Sequence, residues 1–111
     1  MIEITYWPEK LFVQVDGHAG AGEKGQDIVC AAVSMLACVL AQNVMDAQEH
    51  GMLQEEPDIY LADGCARVRA RPKRAWRKTM RTIFDAICIG FAMAAEQYPD
   101  RVKMRAEIGR D

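Results

Sequence analysis

The chain is predicted to fold as an α+β domain, with two helices packed on a mainly antiparallel sheet in the order β-β-α-β-β-α-β. Three observations predict this. Short runs of alternating apolar residues occur in pairs joined by turn residues, and each pair is followed by one long segment with helical apolar spacing. The chain has 111 residues, half of them hydrophobic, which is enough for one core, so residues 1–111 are read as a single domain.

In order along the chain, Ile2, Ile4 and Tyr6 alternate with Glu3 and Thr5, and Leu11, Val13 and Val15 alternate with Phe12 and Gln14. Trp7-Pro8-Glu9-Lys10 joins the two runs, which marks an antiparallel hairpin. Its second strand leads into Gly17, His18 and a glycine-rich loop. Asp27 is placed to cap the free amides of a helix that runs to His50, where Gly51 supplies a left-handed stop. Ile28, Val29, Val33, Leu36 and Leu40 are expected on its core side. Pro57 precedes a second hairpin, Ile59 to Ala62 and Cys65 to Arg71, turned by Asp63-Gly64 and ended by Pro72. Trp76, Met80, Ile83, Phe84, Ile87, Phe91, Ala94 and Tyr98 then recur at helical spacing as a core stripe, and Pro99 stops the helix. Val102 and Met104 alternate with Lys103 and Arg105 as a short last strand.

Composition narrows the function. A formal charge of −2 and the apolar content argue against a disordered or uniformly basic chain. No secretory leader pattern is expected, and no apolar stretch is read as reaching the length needed to cross a bilayer, so a cytoplasmic protein without membrane contact is expected. Cys30 and Cys38 lie eight residues apart on one predicted helix, roughly 12 Å along its axis, beyond the reach of a disulfide. Neither C-x-x-C nor zinc-type Cys/His spacing occurs, so reduced thiols with no metal and no cofactor are expected. Cys38, Cys65 and Cys88 are read as packing residues, and His50, in a last helical turn, as structural.

The stretch from Val15 to Ser34 carries the chemistry. With Asp27 as the cap, Cys30 falls at the third helical position, where the positive end of the backbone dipole favours a thiolate. Asp27, Cys30 and Ser34 share one helix face, and the intervening glycines let His18 fold back toward Cys30. A cysteine in an alanine-rich helix is commonly a packing residue, and a histidine after a strand is commonly a solvated one. A cysteine nucleophile with a histidine base is the sharper alternative.

Gly17-His18-Ala19, Gly25 and Asp27-Ile28-Val29-Cys30-Ala31-Ala32-Val33-Ser34 resemble the signature of the ribosomal-processing cysteine protease family, also called Prp or YsxB-like proteins. Met93-Ala94-Ala95-Glu96-Gln97-Tyr98-Pro99 followed by Val102 is similar to the family's closing segment. The resemblance implies a homodimeric cysteine endopeptidase. It would remove a short N-terminal extension from a bacterial large-subunit ribosomal protein, cutting after an aromatic residue. It further implies His18 and Cys30 as the catalytic pair, with Gly17, Asp27 and Ser34 at the other motif positions. At Ala21-Gly22 the chain departs from the bulkier residues of the common pattern. That departure leaves room for a phage capsid or scaffold protein as substrate.

In the expected mechanism, His18 takes the Cys30 proton, the thiolate attacks a peptide carbonyl, and imidazolium protonates the leaving amine. Free amides at the start of the Cys30 helix are the expected oxyanion donors. Asp27 is assigned first to capping and second to orienting His18, and Ser34 to a backbone contact or to the shape of the pocket.

One further feature points to another class of function. Arg67, Arg69, Arg71, Lys73, Arg74, Arg77, Lys78 and Arg81 form a run without an acid among them. Such a run suits a charged edge strand and a solvated helix face, or contact with ribosomal RNA. Trp76, inside it, is expected to be buried because it is in register with Met80 and Ile83. The alternative function is therefore a non-enzymatic RNA- or ribosome-binding module built on residues 67–81.

Overall fold

The computed structural model describes residues 1–18 and 24–107, and for residues 24–27 the backbone alone. Its elements are β1 (Ile2–Trp7), β2 (Phe12–Gly17), α1 (Lys24–Glu49), β3 (Asp58–Ala62), β4 (Cys65–Arg69), α2 (Arg77–Gln97) and β5 (Val102–Ala106). The predicted α+β order is therefore observed. The five strands form one sheet in the order β3-β4-β2-β1-β5, antiparallel throughout except where β5 runs parallel to β1.

Alternation within the strands decides which face is covered. Ile2, Ile4, Tyr6, Val13, Val15, Val68, Ala70 and Val102 are buried on one face, where α1 adds Val29, Val33, Ala37, Leu40 and Val44 and α2 adds Met80, Phe84, Cys88 and Phe91. Both helices lie side by side on that face, with the Leu36 side chain of α1 against Gly90 of α2. The other face is lined by polar and aromatic side chains. Trp7 stacks on Phe12 at 4.7 Å, and Arg67 and Arg69 lie over the Tyr60 and Phe12 rings.

Three expectations about packing change. Ile28 is exposed while Val29 is buried, because neighbouring helical positions point about 100° apart and only one of the two can meet the sheet. Trp76 is 42% exposed. Arg74–Trp76 forms a separate 3-10 turn before α2, so the helical register with Met80 does not extend back to it. The expectation that no apolar stretch is long enough to cross a membrane also fails: the 22 residues Ile28–Glu49 contain an 18-residue window with a mean hydropathy of 2.1. Here that segment is the central core helix, one of whose faces lies on the sheet.

A polar cluster joins the hairpin to α2. The buried Tyr6 hydroxyl donates to Asp85 Oδ1 at 2.6 Å, and Arg81 Nε donates to the same carboxylate at 3.0 Å. Burial, reinforced by Asp85, holds the Tyr6 phenol above the usual tyrosine range. Burial and the Asp85 charge push the Cys88 thiol up to about 12.

Candidate active site

Gly17 ends β2 with φ +100°, and a Cβ added there would fall 2.2 Å from the Met1 carbonyl oxygen. No larger residue fits that corner. The Gly17 N–H donates to the Gly64 carbonyl at 2.9 Å, which fastens the end of β2 to the β3–β4 turn. His18, the next residue, is thereby set over that turn, with Nδ1 3.9 Å from Asp63 Oδ1. Gly64 has φ +78°, and a Cβ added to it would lie 2.7 Å from His18 Nε2. The imidazole thus occupies the space that the missing side chain leaves.

Helix α1 supplies the other wall. Cys30 is half-buried, its apolar neighbours Val29 and Val33 holding the helix to the sheet, and Ser34 is exposed one turn further on. Gly17, His18, Cys30, Ser34, Asp63 and Gly64 line one cavity of about 70 Å³. Ser34, Ala37 and Ala66 also border a wider cleft of about 380 Å³, which runs on to Leu61 and Cys38. A thiol and an imidazole on the walls of one open cavity are the groups that nucleophilic acyl transfer requires.

The structure therefore brings together Gly17, His18, Cys30 and Ser34 of the residues picked from sequence. Asp27 lies on the same helix, but its side chain and the glycine-rich loop at 19–23 are outside the described residues. Asp63 was missed as a site residue. Its only sequence signal was the Asp-Gly pair, which marks a turn and says nothing of which ring the turn will meet.

Two expectations at the site are corrected. Helix α1 begins at Lys24, so Asp27 is its fourth residue and Cys30 its seventh. Extending a helix adds one hydrogen bond per residue once packing has nucleated it, so the preceding residues join despite Gly25. Cys30 consequently sits in the second turn, its own amide within the helical ladder, and the unpaired amides at 24–27 lie roughly 5–9 Å back along the axis. Neither the dipole argument nor the oxyanion assignment to those amides carries over. Cys38 is exposed rather than packed, since eight helical residues rotate the chain by about 80° away from the direction of Cys30. Cys88 is buried, as expected, and no disulfide joins the four cysteines.

Elsewhere, His50 closes the far end of α1, its Nδ1 2.7 Å from the Asp46 carbonyl oxygen and about 30 Å along the helix from Cys30. Within the basic run, Arg67 faces Asp58, Arg71 faces Glu55, and Arg77 and Arg81 both face Glu9. Much of its charge is thus met inside the chain.

Comparisons with known proteins place this geometry. The family model described as Cysteine protease Prp matches residues 1–103. The ribosomal processing cysteine protease Prp of Staphylococcus aureus is 26% identical over 92 residues, covering 83% of this chain and 82% of the relative. A crystal structure of the S. aureus protease with a covalently linked product peptide superposes with a TM-score of 0.69 at 26% identity, over 96% of this chain and 97% of that one. SMU.848 of Streptococcus mutans gives 0.68 at 25% identity, over 97% and 93%. With the matched region spanning nearly the whole chain and the fold shared end to end, this protein belongs to the Prp family of ribosomal-processing cysteine proteases.

Proposed function

We propose that this protease works through a Cys30-His18 dyad and removes the N-terminal extension of a bacterial large-subunit ribosomal protein. The observation that carries the dyad is the shared cavity, with Cys30 of α1 and His18, just past β2, both on its walls. His18 accepts the Cys30 proton, and sulfur bonds to the scissile carbonyl carbon. The tetrahedral adduct collapses as imidazolium gives its proton to the leaving amine, and water then releases the acyl group and restores the thiol. Gly17 fixes the histidine, and Ser34 shapes the mouth of the adjoining cleft, whose Leu61 and Ala66 walls suit an apolar substrate side chain.

Support for the substrate class comes from relatives: the S. aureus protein is named for ribosomal processing and has been crystallised with a substrate peptide. The enzyme acts in the cytoplasm, where ribosomal proteins are made, and as a homodimer. An exposed apolar face on the two helices supports the dimer. Contact with ribosomal RNA through residues 67–81 is the weaker part of the proposal, because four of the eight cations already face carboxylates. A phage structural protein is the substrate to try second.

Incubating the protein with the cognate ribosomal protein bearing its extension, and reading the products by mass spectrometry, tests the proposal. One defined cut is expected, abolished in Cys30→Ala and His18→Ala variants that retain the parent's circular dichroism. Unchanged cleavage by Cys30→Ala refutes the dyad.

A further inference from the structure

We infer that the β3–β4 turn is part of the catalytic apparatus: Asp63 is a positioning residue that orients His18, and Gly64 is the seat on which the imidazole rests. The inference builds on the Cys30-His18 reading and goes beyond it, because no sequence motif of the site includes the turn.

Three independent contacts meet there. Asp63 Oδ1 lies 3.9 Å from His18 Nδ1. The space above Gly64 is filled by the ring itself, with Nε2, Cε1 and Cδ2 at 2.7, 3.2 and 3.4 Å from where a Cβ would stand. The hydrogen bond from the Gly17 N–H to the Gly64 carbonyl locks the backbone before His18 to the same turn. Asp63 and Gly64 also line the cavity that holds Cys30.

The chemistry follows from which nitrogen faces the acid. A carboxylate beside Nδ1 favours the tautomer with its proton on Nδ1 and leaves the Nε2 lone pair as the base. Both Asp63 and His18 are substantially exposed, at 99% and 56%, so the effect of the pair is modest. Gly64 has the larger effect, because any side chain there displaces the ring itself.

The turn permits clean variants. Asp63→Asn creates Asn-Gly, a favoured hairpin pair, so its effect on the ring is not a failure to fold. Gly64→Asn brings in a Cβ while using the residue that best tolerates a left-handed backbone. The readouts are the rate of Cys30 alkylation by iodoacetamide at neutral pH, resolved by peptide mass spectrometry, and the ¹⁵N chemical shifts of His18, which report its tautomer.

Asp63→Asn is expected to slow Cys30 alkylation about two- to fivefold and to shift His18 away from the Nδ1–H tautomer, with Asp63→Glu restoring part of both. Gly64→Asn is expected to slow it by at least about tenfold. If both variants match the parent in rate and tautomer while His18→Ala slows alkylation, the turn has no such role and the dyad stands. If His18→Ala leaves Cys30 alkylation unchanged, the dyad fails and this inference fails with it.

Discussion

Glycine is required at Gly17 for two separate reasons: φ is +100°, and the space where a Cβ would go is taken by a backbone oxygen 2.2 Å away. Backbone cannot rotate aside as a side chain can, so Gly17→Ala is expected to cost about 2–4 kcal/mol in chemical denaturation and to displace His18 as well. Activity should therefore fall further than the lost stability explains, measured at a temperature where the variant is still folded. A Gly17→Ala enzyme with parent activity would show that His18 does not depend on this corner. The site was half legible at this scale. His18 and Cys30 are close in sequence across glycines, and their residue types announce acid-base and nucleophilic chemistry. Asp63 is 45 residues from His18 and is brought to it only because β4 pairs with β2, a tertiary fact that local chemistry does not record.

At the scale of single elements, periodicity made each strand and both helices visible, while helix ends and helix faces were harder to place. The end of α1 was predictable because it depends on one residue. Gly51 takes φ +72°, the Met52 N–H reaches the Ala47 carbonyl at 2.9 Å and the Gly51 N–H reaches Gln48 at 3.1 Å, closing the helix in a Schellman motif. A Cβ on Gly51 meets nothing within 4 Å, so Gly51→Ala isolates the backbone cost. It is expected to lower stability by about 1 kcal/mol and the melting temperature by about 4 °C, with Gly51→Asn milder. The start of α1 was misjudged because helix growth from a packed centre overrides a cap-like residue inside it. Trp76 was misjudged for the opposite reason, a short 3-10 turn that breaks the register. The contact between β1 and α2 has its own signature. The Tyr6 phenol and the Cys88 thiol are both held above their ordinary ranges, chiefly by burial, so the folded state keeps protons that the unfolded chain releases. This stability is fully present below the thiol's ordinary value of 9.0 and is lost as pH rises toward about 12. The unfolding free energy from urea titrations is expected to hold steady up to about pH 8.5 and then fall, by up to about 1.4 kcal/mol per pH unit for each group. Tyr6→Phe combined with Cys88→Ala should flatten that decline, and an unchanged decline in the double variant would assign it elsewhere.

The whole molecule has one covered sheet face, one polar sheet face, and an outer helical surface that is neither. Ile28, Met35 and Val39 follow one line along α1, and Ile89 and Met93 follow another along α2. Ile28, Met35 and Ile89 are each more than 60% exposed. The hydropathy of α1 has the same origin: a helix with apolar residues on its core side needs few more on its outer side to reach a membrane-like mean. In a helix of a monomer that outer side is ordinarily polar. A second copy of the chain is the occupant that the proposed homodimer supplies, and an isologous contact would set the same rows against each other across a twofold axis. Under that symmetry Met35→Glu places two carboxylates in the covered surface at once. The expected result in sedimentation is a dimer for the parent at about 100 μM and a monomer for Met35→Glu, a loss of at least about a hundredfold in affinity with unchanged circular dichroism. Lys103→Glu, on the sheet face that the helices leave uncovered, should leave the dimer intact. A parent that stays monomeric at that concentration, or a Met35→Glu variant that still dimerises, removes this face as the contact. Because Cys30 lies on the same helix as Met35, with Ser34 beside the cavity between them, the activity of the Met35→Glu monomer then shows whether each protomer works alone.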